Sequence, residues 1–595
     1  MMKCVNSDMP KFAKASNART RRYGDSLIAS AALAPHVLLR FHTPDPRLRA
    51  AARGTVSAIP AISAIDRQRT LEALERERFD VAIIGGGITG AGLAHRAAAS
   101  GLSVALLEAE DFASGTSSRS SKLIHGGLRY LAMGEVRLVR ETALERKHVH
   151  RLAPHLAERR WMVMPMASRA NLLAFRAAIT LYEKLGAVER ADLHHNWSPR
   201  DLEREEPLLD RSHYPYACAY REYVTDDARL VLANARVAAS HGARLLNHAP
   251  ATALSVDGGR ATGIEAACRL SGRTVRVRAR CVVNAAGPWV DAVRQLEAAE
   301  APSTLHLSKG VHVVLPASRV PLRNLVILSA ADKRMLFAIP RGQVVFIGTT
   351  DTTYPCGPRV WPGVTSKDVN YLLEPLARYL TGEPVTAADV ITAWSGLRPL
   401  VTQPGKKPTE TSRADEVVVG PAGVVTVAGG KLTGYRPTVA RVLRTVAAEL
   451  GTTLSDDPPE ELPGGAFDGD LPKLAGRLVD EFSVSQTVAA RLAQLYGAEA
   501  QQVAAAGLAP LAPHAPVIEG EVDWSVRNEA AARVEDVVYR RTRAALYEPE
   551  AARAIVEPVA SRMAQLLGWD AARTHDEVEA TRARLAADLQ FGSDA

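Results

Sequence analysis

The stretch FDVAIIGGGITGAGLAHRAAASGLSVALLEAED, residues 79–111, decides the fold of this chain. Its opening residues are mostly apolar and β-branched, which is typical of a strand buried in a parallel sheet. The turn Gly85-x-Gly87-x-x-Gly90 follows directly, and after it come an alanine-rich helical stretch and a second strand that ends in Glu108. Strand, glycine turn, helix, strand and acid in this order predict a dinucleotide-binding βαβ unit.

The glycine turn has the properties that a pyrophosphate site requires. Gly85 permits the tight turn, Gly87 lets a pyrophosphate approach the backbone, and Gly90 lets the helix pack closely on the strand. The helix that begins at Ile88 and Thr89 offers free N–H groups and partial positive charge to the phosphates. We therefore expect these five residues to form the pyrophosphate site of the cofactor.

The end of the second strand and the polar stretch after it indicate which dinucleotide binds. Glu108 can accept hydrogen bonds from a ribose diol, and an acid there disfavours NADP because it repels the 2′-phosphate. The stretch SGTSSRSSK, residues 114–122, favours FAD because its hydroxyls can serve the pyrophosphate and the flavin ring. Further FAD contacts are expected in this part of the chain at Ala109, Thr116, Ser117, Ser120, Ser121, Lys122 and Leu123.

Two later segments also have a nucleotide-binding pattern. CVVNAAGPWVD, residues 281–291, predicts a strand that runs into a small-residue turn, with Gly287 as the expected contact. VVTVAGGKLTGYRPTVARVL, residues 424–443, predicts a strand, a glycine turn and a helix. A single FAD that draws on all these segments requires a nucleotide-binding domain interrupted by an inserted domain. The contacts expected from the last turn are Gly430, Lys431, Leu432 and Thr433.

Composition excludes a disordered, a collagen-like and a coiled-coil protein. The 595 residues are 47% hydrophobic and 23% charged, as in ordinary soluble globular proteins, and the length allows several domains. The five cysteines form no C-x-x-C pair and no EF-hand loop occurs, so neither a disulfide scaffold nor a metal site is expected. No stretch is long and apolar enough to predict a transmembrane helix.

The net charge of +8 is concentrated in an N-terminal extension. Residues 1–60 hold ten of the 73 Lys and Arg but only three of the 65 Asp and Glu. The near-neutral remainder argues against a nucleic-acid partner. The extension, residues 1–65, is interpreted as a targeting segment, a disordered tail or the product of a start placed too far upstream, and these alternatives stay open.

The string SSKLIHGGLRYL, residues 120–131, resembles the flavin-site segment of FAD-dependent glycerol-3-phosphate dehydrogenases. Without an EF-hand loop, the chain is similar to the bacterial, respiratory type of that family. The resemblance runs in order from about residue 66 to 595 and leaves the extension outside it. The other strings that carry it are VTDDARLVLANA (224–235), NAAGPWV (284–290), KGVHVVLP (309–316), GTTDTTY (348–354), SGLRPL (395–400), GGKLTGYR (429–436), LPGGAFDGD (462–470) and VRNEAAARVEDVVYRRTRAAL (526–546).

This resemblance implies an α/β fold. A glutathione-reductase-like, Rossmann-type FAD-binding domain would carry an inserted substrate or cap domain built on an antiparallel sheet, and an all-α C-terminal domain would follow. The expected divisions are the oxidoreductase region 66–450, with FAD-binding segments at about 78–154, 224–300 and 395–450 and cap segments at about 155–223 and 301–394, a linker at 451–465 and the helical domain at 466–595.

The resemblance also implies an activity. The expected reaction oxidises sn-glycerol 3-phosphate to dihydroxyacetone phosphate by hydride transfer to FAD and passes the electrons to a quinone. The protein is then expected in the cytoplasm, in peripheral contact with the inner face of the cytoplasmic membrane. A homodimer is compatible with this expectation. The alternatives are an oxidase of the same substrate that uses oxygen, an amine or amino-acid oxidase on the same scaffold, and a flavin-binding module without turnover.

A phosphate dianion beside a flavin requires cations that do not lose their proton, and arginine meets this requirement. The resemblance assigns Arg129 and Arg398 to the substrate. Arg413, in the loosely matching string TETSRADE, is a further candidate for substrate binding.

Three other side chains are candidates for the chemistry. His125 titrates in the range required of a base that takes the hydroxyl proton of the substrate. Tyr130 is a candidate for bonding a substrate oxygen. Lys431 is a candidate for stabilising negative charge on the reduced flavin. For His125 and Tyr130, structural roles in hydrogen bonding and packing stay open as alternatives.

One segment is a candidate for membrane contact. In NLLAFRAAITLYEKLG, residues 171–186, Leu172, Phe175, Ile179 and Tyr182 recur at helical spacing and form one apolar face. Such a face either packs in the core or lies on a membrane surface.

Overall fold

The computed structural model describes residues 62–126, 131, 134–402, 415–454 and 461–592. Three predicted substrate residues, Arg129, Tyr130 and Arg413, lie outside the described residues, as do almost all of the extension and residues 455–460 of the expected linker.

The strands follow the apolar runs of the sequence. They are β1 (Arg78–Ile84), β2 (Val104–Leu107), β3 (Leu123–Ile124), β4 (Ala157–Met166), β5 (His195–Trp197), β6 (Tyr216–Thr225), β7 (Arg244–Leu246), β8 (Ala251–Asp257), β9 (Arg260–Ala267), β10 (Thr274–Asn284), β11 (Leu305–Pro316), β12 (Leu325–Ser329), β13 (Met335–Arg341), β14 (Val344–Gly348), β15 (Thr352–Thr353), β16 (Thr392–Val401), β17 (Glu416–Val419) and β18 (Val425–Ala428).

The helices come between the strands and then fill the C-terminal region. They are α1 (Arg67–Arg76), α2 (Ile88–Ala99), α3 (Val136–Leu152), α4 (Arg169–Leu185), α5 (Pro199–Glu205), α6 (Asp227–Ser240), α7 (Val290–Glu297), α8 (Ser366–Tyr379), α9 (Tyr435–Leu450), α10 (Leu471–Phe482), α11 (Gln486–Tyr496), α12 (Ala500–Ala506), α13 (Glu519–Asn528), α14 (Ala544–Tyr547), α15 (Pro549–Leu567) and α16 (Ala571–Ala587). Single turns lie at Thr116–Ser118, Arg190–Asp192, Gly287–Trp289, Ala387–Asp389 and Gly497–Glu499, and a π-helical turn lies at Asp536–Arg541.

The first sheet is the dinucleotide-binding one. Its strands run in the order β17-β18-β10-β1-β2-β7, and the five from β18 to β7 are mutually parallel. β2 and the Val81–Ile84 part of β1 are buried because helices cover the faces of the sheet, which explains the continuous apolar sequence there. The hairpin β8–β9 joins the sheet through β9, which pairs antiparallel with the first half of β10. This arrangement confirms the predicted Rossmann-type domain.

The second sheet is mainly antiparallel. Its main path is β15-β11-β14-β13-β12-β4-β6-β3, with β16 paired to β11 and β5 paired to β6. β16 begins at Thr392 and runs through residue 395, where the sequence analysis placed the start of the third FAD-binding segment. The two assignments differ there because pairing with β11, which the local pattern does not reveal, determines the sheet to which a strand belongs.

The C-terminal region is helical, as expected, and it is tied to the rest of the molecule by buried charges. Asp111, after β2, accepts hydrogen bonds from both Arg540 and Arg541 of the π-helical turn. Arg229 of α6 donates to Glu529 at 2.7 Å. Buried charges of this kind need partners because desolvation is costly. In the part of the chain that the structure describes, no helix has both the length and the apolar character needed to span a membrane.

Candidate active site

A cavity of about 1080 Å³ lies between the two sheets. Its wall includes Gly85 and Glu108 from the first sheet and Phe337 and Arg398 from the second. The turn at 429–433, after β18, also contributes. The segments that the sequence analysis singled out therefore meet around one space, although hundreds of residues separate them in the chain.

The glycine turn leaves no room for side chains where the chain must approach closely. Gly85 has φ +108°, and a Cβ added there would lie 2.5 Å from the backbone oxygen of Ala285. A Cβ on Gly90 would lie 1.9 Å from the backbone oxygen of Gly85. Both positions therefore require glycine, as the close packing of turn, strand and helix in a dinucleotide-binding unit demands.

Glu108 is held in place by the turn that it faces. Its carboxylate accepts the N–H of Gly86 at 2.6 Å and that of Glu110 at 2.9 Å, and the side chain lines the cavity. Burial raises the pKa of Glu108, while the two backbone N–H groups oppose that shift. The residue is thus oriented toward the cavity at the strand end where a ribose diol is expected.

The polar stretch 114–122 forms one wall and is tied to both sheets. The Ser117 hydroxyl accepts the N–H of Ile88 at 3.0 Å, at the start of α2. The Thr116 hydroxyl donates to the backbone oxygen of Leu397 in β16 at 2.6 Å. These bonds fix the wall between the glycine turn and the second sheet.

Lys122 has a different role from the predicted direct FAD contact. Its side chain is fully buried and does not line the cavity, and its ammonium lies 2.9 Å from both carboxylate oxygens of Asp227. Burial lowers the pKa of Lys122, and the charge of Asp227 opposes that shift. Lys122 therefore anchors the wall from behind.

The turn after β18 closes another side of the cavity. Gly429 and Gly430 have φ of +78° and +93°, in the left-handed region that favours glycine. Lys431 lines the cavity, and the Thr433 hydroxyl donates to the backbone oxygen of His125 at 3.3 Å. His125 lines the same cavity, so the predicted base and the predicted flavin-ring turn are neighbours.

Two arginines of the cavity meet at one aspartate. Arg398 has its Nη1 atom 3.2 Å from Oδ1 of Asp351 and 3.1 Å from the backbone oxygen of Thr350. Arg334, which the sequence analysis missed, donates through Nη1 to the backbone oxygen of Asp351 at 2.7 Å. Arg334 also pairs with Asp332 at 3.1 Å, so two carboxylates face the two arginines, and the neighbouring Lys333 gives this part of the wall one net positive charge.

His312 is a second histidine on the cavity wall. Its Nε2 atom lies 2.8 Å from the Ser121 hydroxyl, and its ring stacks on Trp394 with centroids 4.9 Å apart. Burial lowers the pKa of His312 far below its ordinary value, aided by the charges of Lys122 and Arg398. His312 is therefore a neutral partner that orients Ser121, and the string KGVHVVLP was the available signal for it.

Comparison with known proteins agrees with this geometry. A family model described as FAD dependent oxidoreductase matches residues 80–436, more than half of the chain. One described as the C-terminal domain of alpha-glycerophosphate oxidase matches residues 460–574. The aerobic glycerol-3-phosphate dehydrogenase of Staphylococcus haemolyticus is 35% identical over 529 residues, which cover 86% of this chain and 94% of the relative.

The chain belongs to the FAD-dependent glycerol-3-phosphate dehydrogenase family. The aerobic glycerol-3-phosphate dehydrogenase of Staphylococcus aureus strain USA300 is 37% identical over 458 residues, covering 74% of this chain and 82% of the relative. The crystal structure of the Bacillus halodurans glycerol-3-phosphate dehydrogenase complexed with FAD superposes with a TM-score of 0.75 at 30% identity, covering 90% of this chain and 99% of that one. The predicted family, fold and cofactor are thereby confirmed.

In this member of the dehydrogenase family, the described residues predicted to contact FAD or substrate line the cavity, apart from Gly90, which packs beneath the turn, and Lys122. Their roles as FAD or substrate contacts stay predictions. Those that line the cavity are Gly85, Gly87, Ile88, Thr89, Glu108, Ala109, Thr116, Ser117, Ser120, Ser121, Leu123, His125, Gly287, Arg398, Gly430, Lys431, Leu432 and Thr433.

The apolar stripe predicted on α4 points inward in this family member. Ile179 and Tyr182 are buried, and Phe175 lines the cavity. The apolar side chains that α4 exposes are instead Leu173 and Leu181, which are 62% and 46% accessible. The stripe is therefore core packing, and a different pair of leucines faces solvent.

Proposed function

We propose that the chain oxidises sn-glycerol 3-phosphate to dihydroxyacetone phosphate with FAD held in the cavity. The observation that carries this proposal is the pair Arg334 and Arg398, which meet at Asp351 on the wall of an FAD-family cavity. Guanidinium groups bind phosphate bidentately and stay charged at all physiological pH values. Such a pair suits a phosphate dianion better than it suits the single carboxylate of an amino acid.

The residues that would hold FAD are those of the glycine turn, the 114–122 wall and the turn after β18. Backbone N–H groups at the start of α2 would bind the pyrophosphate, and Glu108 would accept from the ribose. Lys431, on the wall near His125, would stabilise negative charge at the ring end. When bound, FAD supplies the two-electron acceptor that the oxidation requires.

His125 is the proposed acceptor of the substrate hydroxyl proton. It lines the cavity beside the turn of Thr433, and imidazole is a common general base in enzymes. His312 is a poorer candidate because burial keeps it a weak base. Arg129 and Tyr130, which follow His125 in the chain, are proposed to complete the substrate contacts, with Arg413 as a further contact.

A quinone is the proposed electron acceptor, reached through peripheral contact with the inner face of the cytoplasmic membrane. One part of the cavity wall is apolar and includes Phe175 of α4, whose other side exposes Leu173 and Leu181 beside Arg176. A helix that contributes to the apolar part of the cavity and also exposes two leucines favours an acceptor that partitions into lipid. The apolar lining comprises Leu123, Met162, Phe175, Tyr220, Ile327 and Phe337.

The deciding experiment is anaerobic mixing of the purified holoprotein with sn-glycerol 3-phosphate while the visible flavin absorbance is followed. Bleaching by this substrate, but not by glycerol or amino acids, is the expected result. A yellow, FAD-containing protein whose flavin absorbance does not fall when glycerol 3-phosphate is added would contradict the substrate assignment. Adding a quinone or oxygen to the reduced protein then distinguishes a dehydrogenase from the alternative oxidase.

The oligomeric state is a separate question. Sedimentation of the same sample measures whether the protein is the homodimer that the family resemblance allows.

A further inference from the structure

The polar wall of the cavity is anchored by one buried carboxylate behind it. Ser120 donates its backbone N–H and its hydroxyl to Oδ2 of Asp227, at 3.1 and 2.7 Å. Lys122 adds its ammonium, 2.9 Å from both oxygens of the same group. Asp227 is fully buried at the start of α6, so these bonds compete with little solvent. The conformation of Ser120 and Ser121 therefore depends on where Asp227 sits.

A residue of the C-terminal helical region completes the charge of this anchor. Arg543 donates through Nη2 to Oδ1 of Asp227 at 2.9 Å, and its Nε atom lies 3.2 Å from Oδ2 of Asp226. The Arg543 side chain is 1% accessible. The Arg543 backbone has φ +61°, a left-handed conformation that residues other than glycine rarely adopt.

The burial of these groups makes Arg543 more than a surface bridge. A buried carboxylate that loses one of its two cations keeps a charge that the interior cannot solvate. Asp227 then draws more strongly on the donors that remain, Lys122 and Ser120. Those donors belong to the cavity wall, so a change at Arg543 moves the wall even though Arg543 does not line the cavity.

We propose that Arg543 is a positioning residue for FAD, which acts through Asp227 on the Ser120–Lys122 part of the cavity wall. The C-terminal helical region, which would otherwise be a separate structural attachment, thereby sets the affinity for the cofactor and the polarity around it. This inference rests on the proposed placement of FAD in the cavity.

A second ion pair offers a matched control. Arg236, nine residues after Asp227 on α6, binds Glu499 of the C-terminal region through two bonds of 2.7 Å. Arg236 is also buried and also ties α6 to the C-terminal helices, but it contacts no residue of the 114–122 wall in the described structure. A purely structural role for Arg543 predicts the same behaviour for both arginines.

The test compares Arg543→Gln, Arg236→Gln and wild type as purified holoproteins. FAD dissociation is measured by flavin fluorescence, the flavin environment by the visible absorbance spectrum, and overall stability by thermal unfolding. We expect the Kd for FAD to rise about tenfold in Arg543→Gln, with a shifted flavin spectrum, because residues in one buried network are coupled to one another. Arg236→Gln is expected to lower thermal stability while leaving the Kd and the spectrum unchanged.

Equal changes of the Kd in both variants, or no change in Arg543→Gln, would overturn the proposal. Arg543→Lys keeps the charge beside Asp227 and is expected to restore the wild-type flavin spectrum. Its Kd for FAD should lie between those of wild type and Arg543→Gln. If Arg543→Gln does not fold, the Kd for FAD decides: Arg543→Lys should bind FAD more weakly than wild type, whereas Arg236→Lys should bind it as wild type does. A wild-type protein that binds no FAD would instead refute the proposed cofactor placement, so the two failures are distinguishable.

Discussion

The guanidinium of Arg398 lies 3.2 Å from the carboxylate of Asp351 inside the cavity, and Arg334 holds the backbone of that same aspartate. The Asp351 carboxylate balances the charge of Arg398, and Asp332 balances that of Arg334 at 3.1 Å. An incoming phosphate dianion competes with Asp351 for Arg398, so binding is expected to depend on the full charge and fork geometry of the guanidinium.

Replacing Arg398 is expected to weaken substrate binding. Arg398→Gln should raise the Kd for glycerol 3-phosphate about ten- to a hundredfold, because hydrogen bonds to charged groups contribute about 1.5–3 kcal/mol. Anaerobic titration of flavin bleaching measures this Kd. Arg319→Gln is the control, because Arg319 pairs with Asp389 away from the cavity. An unchanged Kd in Arg398→Gln would remove Arg398 from the phosphate site.

A methyl group at Gly90 is expected to disrupt cofactor binding. Gly90→Ala places a Cβ 1.9 Å from the backbone oxygen of Gly85, so either the turn or α2 must shift. The ratio of flavin to protein absorbance in the purified protein should fall sharply. Gly476→Ala, in α10 with nothing within 4 Å of the added Cβ, should keep its FAD and gain up to about 1 kcal/mol of helix stability. Full FAD content in Gly90→Ala would contradict this account of the turn.

The two cavity histidines are expected to differ in their effect on pH dependence. A base must be deprotonated to accept a proton, so the rate of flavin reduction should fall as the pH drops through the pKa of the base. His125→Gln should lower the rate and abolish that limb of the profile. His312→Gln should keep the limb, because burial holds the pKa of His312 well below its usual range and the group stays neutral. Stopped-flow reduction across the pH range distinguishes the two, and a limb that disappears only in His312→Gln would reverse the assignment.

His155 is expected to make the fold sensitive to acid. Burial lowers the pKa of His155 to about 3, with Arg229 adding to the shift, whereas the unfolded chain titrates near 6.5. Between these values the unfolded state binds the proton and the folded state does not, so stability falls as the pH falls. From pH 6.5 to 5 the loss is about 2 kcal/mol.

His155→Gln should flatten that part of the curve of thermal unfolding temperature against pH. The control is His575→Gln, since His575 is an exposed side chain on α16 and its replacement should leave the curve nearly unchanged. The same slope in wild type and His155→Gln would show that other groups cause the acid sensitivity.

The exposed leucines of α4 are expected to support membrane contact. The double variant Leu173→Glu/Leu181→Glu should bind less to anionic phospholipid vesicles in a sedimentation assay, because it replaces apolar contact with charge repulsion. Val256→Glu/Leu508→Glu changes two other exposed apolar residues, 54% and 41% accessible, and should bind as wild type does. Equal binding of the α4 variant and the wild type would place the contact elsewhere.

The sequence was sufficient wherever the signal was local. β1, the glycine turn and α2 follow from apolar runs and glycine spacing within 33 residues of chain. The signal failed where a residue's role depends on a distant partner. Lys122 has the local context of an FAD contact, but its charge is matched by Asp227, 105 residues later.

Arg334 shows the same limit from the other side. It lies in a short hairpin between β12 and β13, and only the pairing of β11 with β16 brings Arg398 beside that hairpin. No spacing rule predicts this convergence from the sequence, because strand pairing depends on contacts made across the whole sheet. The glycine turn could be read directly, whereas the positive part of the cavity became visible only in three dimensions.

The distance along the chain between Asp227 and Arg543, 316 residues, also fixes an order of events during biosynthesis. At about 5–20 residues per second, a ribosome needs roughly 16–63 s to make that stretch. Throughout this interval Asp227 lacks its second cation, Arg543. The 114–122 wall that Asp227 anchors has therefore not reached its final conformation. A nascent chain that ends before Arg543 lacks this cation, so a truncated message should yield protein that binds FAD more weakly than the full chain does.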